Sequence, residues 1–83
     1  MKILKYIIVN TNIPIIFCGE IIHKTVTKKA NSAGFLIIKY DKQSNKFTVI
    51  CFGESTSLNI KSENGDHLII EDYLNNQFLS IMS

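Results

Sequence analysis

Residues 33–52 read AGFLIIKY-DKQSN-KFTVICF, and how this stretch divides decides the fold. In residues 46–52, Phe47, Val49 and Cys51 alternate with Thr48, Ile50 and Phe52. A period of two puts those two sets on opposite faces of a β-strand. Residues 33–40 are the most apolar segment of the chain, interrupted only by Lys39, and are apolar on both faces, which fits a central strand. The five residues between them, DKQSN, have a common length for a hairpin loop. The stretch therefore predicts an antiparallel hairpin whose faces are both apolar.

Upstream, residues 2–9 (KILKYIIV) predict a first strand, closed by the turn cluster Asn10-Thr11-Asn12. Residues 13–17 (IPIIF) predict a second. Pro14 has no N–H for a ladder and belongs at a strand start or a sheet edge. Residues 19–29 (GEIIHKTVTKK) carry conflicting signals. Ile21, Ile22, Thr25 and Val26 fall at helical spacing, whereas the β-branched run Thr25-Val26-Thr27 resists a helix. A short helix is expected there. Downstream, Asn64-Gly65 marks a turn and Asp66 is placed to cap a helix over residues 67–75. Ile70, Leu74 and Phe78, widened by Ile69 and Tyr73, would form its apolar stripe, with Glu71 and Asp72 facing water. The order β-β-(α)-β-β-α predicts one α+β domain over residues 1–83. Its small antiparallel sheet has about four strands, with the C-terminal helix packed on one face.

Composition agrees. The 83 residues leave room for one domain. At 46% hydrophobic, with 15 Ile, the chain is too apolar and too β-branched to stay disordered. No apolar run approaches the ~20 residues a membrane helix needs. MKILKYIIVN is broken by Lys5 and reads as a strand, not a leader. Two cysteines, Cys18 and Cys51, are no disulfide framework, so a reducing cytoplasm is expected. Charge is divided along the chain. Residues 1–61 carry nine Lys against Glu20, Asp41 and Glu54, a balance of +6. Residues 62–83 carry Glu63, Asp66, Glu71 and Asp72 with no Lys, a balance of −4. Opposite halves of this kind attract each other, within one chain or between two.

The motifs that carry chemistry are few. Gly53-Glu54-Ser55 after a strand has the look of a nucleophile elbow, G-x-S-x-G, but the fifth position is Ser57 and the chain is far too short for such a hydrolase. A triad of Ser55, Asp66 and His67 uses residues that turn and cap geometry already explain, and His23 is the freer candidate base. The expected role of the segment is structural: Gly53 bends the strand end, and Ser55, Thr56 and Ser57 supply turn hydrogen bonds. Cys18, His23, Cys51 and His67 are a zinc inventory without zinc spacing, so no metal and no other cofactor is expected. The four glycines stand apart and cradle no phosphate. Lys24, Lys28 and Lys29 form a basic cluster. With a net charge of only +2 and no Arg to read a base edge, nucleic acid is the weaker partner class. Ser32-Ala-Gly-Phe35 and Gly53-Glu-Ser-x-Ser-Leu58 together resemble small bacterial proteins with an SAGF-like strand start and a GES-x-SL-like turn. That resemblance implies a fold and no activity.

The sequence thus predicts a non-enzymatic binding protein whose partner is itself or another protein, through Ile50 and Phe52. The alternative is a small ligand-sensing or hydrolytic site built from Glu54, Ser55 and Ser57 with His23. A second alternative is weak nucleic-acid binding through Lys24, Lys28 and Lys29.

Overall fold

The structure, a computed structural model, describes residues 2–27 and 29–78. The expected roles of Lys24, Lys28 and Phe78 rest on side chains outside the described residues. Its strands are β1 (Leu4–Val9), β2 (Ile13–Phe17), β3 (Ser32–Asp41) and β4 (Lys46–Phe52), in one antiparallel sheet of order β2-β1-β3-β4. The predicted hairpin is present, with Ile37 opposite Ile50 and Ile38 opposite Val49, and β3 runs one residue further than expected, so that Asp41 pairs with Lys46. A helix α1 (His23–Val26) lies between β2 and β3, shorter than the 19–29 segment because Thr27 is already extended. After β4 a second, two-stranded sheet pairs β5 (Glu54–Ser55) with β6 (Ile60–Lys61), around the turn expected after Gly53. The helix α2 (Asp66–Asp72) follows and continues as a π-helical turn, Tyr73–Phe78. Among the described residues, no helix is long and apolar enough to cross a membrane.

The two faces of the sheet are covered differently. Tyr6 and Ile8 of β1, Leu36 of β3 and Val49 of β4 are buried with Ile70 and Leu74 of the C-terminal helix. Phe47 and Cys51 pack against this core, as the alternation of β4 requires. The other face carries Ile7, Ala33, Phe35, Ile37, Ile50 and Phe52. Here α1 packs on β1, and β5 and β6 on β3, and Ile7 and Ala33 are fully buried. The β4 side of this face is uncovered: Ile50 is 51% exposed and Phe52 38%.

Asp66 is not the helix cap that the sequence predicts. Gly65 holds that position, without a side-chain cap, and Asp66 begins the helix with its carboxylate turned inward and 3% exposed. It accepts hydrogen bonds from the Tyr6 hydroxyl, from Ser32 Oγ at 2.8 Å and from the Glu63 N–H at 2.9 Å. One carboxylate thus ties the helix start to β1 and β3. Burial and the bond to Asp66 push the Tyr6 phenol far above its usual value. Gly34 makes the arrangement possible. A Cβ there would meet the Phe52 carbonyl oxygen at 2.7 Å and the Tyr6 ring at 3.4 Å, so Tyr6 crosses the sheet where no side chain obstructs it.

Glu71 also departs from expectation. It does not simply face water, because its carboxylate accepts the Val49 N–H at 2.8 Å. One turn on, Asn75 accepts the Phe47 N–H at 2.7 Å and donates to the Phe47 carbonyl at 3.1 Å. Helix positions four apart are separated by about 6 Å, and alternate strand residues by about 6.7 Å. The helix therefore supplies polar groups at the spacing of the outer edge of β4. At the opposite edge, β2 is short and contains Pro14. Both sheet edges are thus blunted against pairing with another strand.

Candidate functional site

Four separated segments converge beside β5. Lys5 comes from β1, His23 and Ile22 from the start of α1, Phe35 from β3, and Glu54 and Ser57 from the turn after β4. Together they line a pocket of about 350 Å³. Three of the four sequence candidates, His23, Glu54 and Ser57, meet there; Ser55 does not line it.

Ser55 is held in the turn. It is 1% exposed, its Oγ accepts the Leu58 N–H at 3.2 Å, and it lies 3.3 Å from Ser57 Oγ. Gly53, which positions this turn, has φ +78°, in the left-handed region that glycine enters without strain. A Cβ there would lie 2.9 Å from the Phe35 ring. Ser62 closes the loop by donating both its N–H, at 3.0 Å, and its Oγ, at 2.9 Å, to the Gly53 carbonyl.

His23 is almost wholly buried, with Phe17 and Phe35 edge-on at centroid distances of 5.3 and 5.8 Å. Its Nε2 lies 2.8 Å from the Gly34 carbonyl oxygen. A carbonyl only accepts, so the ring carries a proton on Nε2. Lys5 donates to the Ile21 carbonyl at 2.9 Å, and its ammonium sits 5.9 Å above the Phe35 ring. Glu54 is exposed and lies across from Lys61 in the β5–β6 register. Lys5 had no sequence signal as a site residue: 49 positions separate it from Glu54, and only the sheet order brings them together.

The other chemistry-bearing residues lie apart. Cys18 is exposed at the end of β2, and Cys51 is half-buried beneath the core helix; neither forms a disulfide. Burial raises the Cys51 thiol to about 11, the nearby Asp66 and Glu71 carboxylates act in the same direction, and a bond to Tyr6 offsets part of the rise. His67 is half-buried in the first turn of α2. Among the described residues, no three His, Cys, Asp or Glu side chains gather as a metal site. No family model, curated protein or solved structure matches the chain, and the likeness carried by residues 32–35 and 53–58 rests on those segments alone.

Proposed function

We propose that the protein is a binding module that works without catalysis, in a reducing cytoplasm, and pairs with a second copy of itself. The uncovered half of the second sheet face carries this reading. Ile50 and Phe52 stand open to solvent beside half-buried Ile37, and an apolar sheet face of this kind marks a contact surface. A face-to-face contact is favoured over strand addition because Glu71, Asn75 and Pro14 blunt the edges. Charge offers a second copy a limited complement: Asp66 and Glu71 are committed to hydroxyl and N–H groups within the chain, and exposed Glu63 and Asp72 remain to meet the lysine-bearing body of a partner copy. The free cysteines accord with the proposed compartment.

Light scattering at micromolar concentration tests the pairing. A dimer is expected, weakened by Ile50→Lys with the sheet signal of circular dichroism intact. A monomer across the whole range contradicts it and assigns the face to another protein. The nucleic-acid reading keeps exposed Lys29. It would displace the proposal only if an electrophoretic shift survived physiological salt and vanished on neutralising Lys24, Lys28 and Lys29.

A further inference from the structure

The pocket beside β5 has a composition that narrows what it accepts. Its lining presents a cation, Lys5, and an anion, Glu54, and among the described residues no ion pair joins the two. Lys5 spends one proton on the Ile21 carbonyl and keeps two to donate. His23, with its proton fixed on Nε2 by Gly34, offers an acceptor at Nδ1. Thr56 adds a hydroxyl, and Ile22 and Phe35 supply an apolar wall. Ile22 is 56% exposed, so covering it would remove apolar surface from water. The volume, about 350 Å³, stands at the small end of ligand pockets and excludes a dinucleotide.

A simple anion would face the Glu54 carboxylate, and a simple cation would face Lys5. A molecule carrying both charges a few ångströms apart, with a short apolar tail, satisfies both charged groups and the apolar wall. We propose that this pocket binds a free α-amino acid with an aliphatic side chain. Its carboxylate is received by Lys5 and Thr56, its ammonium by Glu54 and His23 Nδ1, and its side chain by Ile22 and Phe35. This site is separate from the Ile50 surface, and its test does not depend on the oligomeric state.

The test is calorimetric titration of the full chain with L-leucine and with two truncated analogues, 4-methylpentanoate and 3-methylbutylamine. Each analogue lacks one charge. Saturable binding of L-leucine is expected, with both analogues at least tenfold weaker. Glu54→Gln, at an exposed position, should weaken L-leucine at least tenfold with an unchanged amide spectrum, and Lys5→Met should do the same. Three results overturn the proposal. One is no saturation by L-leucine at millimolar concentration. The others are an analogue that binds as tightly as L-leucine, and a Glu54→Gln protein that binds it as the parent does.

Discussion

Replacing Asp66 should be the most damaging single polar substitution in the chain. Tyr6 is fully buried and Ser32 is 2% exposed, and both hydroxyls end on this carboxylate. Among the described residues, no buried side-chain nitrogen or oxygen lacks a partner. Asp66→Ala would leave two buried donors unpaired, at about 1–3 kcal/mol each. The lost Glu63 N–H bond adds less, because water can reach exposed Glu63. The total is about 2–7 kcal/mol. An 83-residue domain has about 4–12 kcal/mol in all, so Asp66→Ala should sit near the limit of folding. Asp66→Asn keeps one oxygen but turns an amide N–H₂ toward existing donors, and should cost about 2–4 kcal/mol. Tyr6→Phe removes one donor and leaves two, at about 1–2 kcal/mol. Urea unfolding followed by circular dichroism measures each, and the Tyr6→Phe/Asp66→Asn cycle should show a coupling of about 1 kcal/mol or more. Coupling near zero, or Asp66→Ala within about 1 kcal/mol of the parent, would refute the assignment of Asp66 as the tie between helix and sheet.

Gly53→Val should destabilise by about 1–3 kcal/mol, because it forces a β-branched residue to φ +78° against the Phe35 ring; a thermal melt equal to the parent's would contradict this. Ser55→Ala should cost about 1 kcal/mol, the scale of its bond from Leu58, and leave any ligand binding intact. Loss of a measured activity with the fold preserved would reinstate Ser55 as a nucleophile. Stability should fall as pH rises above about 9. Cys51 titrates near 11 in the folded chain against 9.0 when unperturbed, and Tyr6 is raised as well, so the unfolded chain loses protons first. At pH 8 the same shift lowers the Cys51 thiolate fraction about 100-fold; iodoacetamide should label exposed Cys18 well ahead of Cys51, and equal rates would contradict the burial.

The parts of the fold that were legible are those written in local periodicity. Alternation in residues 46–52 put Val49 and Ile50 on opposite faces, and the spacing of Ile70 and Leu74 marked a helix with one apolar side; the structure shows that this side covers the Val49 face. The contacts that fix the helix were not legible, because they join residues far apart in sequence. Tyr6 and Asp66 are 60 positions apart, and nothing near Asp66 distinguishes an inward carboxylate from a helix cap. Glu71 and Asn75 look like solvated helix residues until the edge of β4 is seen beneath them. The strands β5 and β6 are two residues each, too short for any pattern to show. At the pocket, the sequence singled out Glu54 and Ser57 by their place after Gly53, and His23 as a candidate base. It missed Lys5, whose position inside a strand made it look like a break in an apolar run.

The claim that the β4 face, rather than a strand edge, is the docking surface can be read directly from contacts between copies. Isotope-filtered NOE spectra on a mixture of labelled and unlabelled chains report such contacts alone. Intermolecular cross-peaks to the Ile50 methyls and the Phe52 ring are expected, with none to the β4 backbone at Phe47 and Val49 that Asn75 and Glu71 occupy. An absence of intermolecular peaks at millimolar concentration, or peaks centred on exposed Leu68 of α2 instead, would contradict the account.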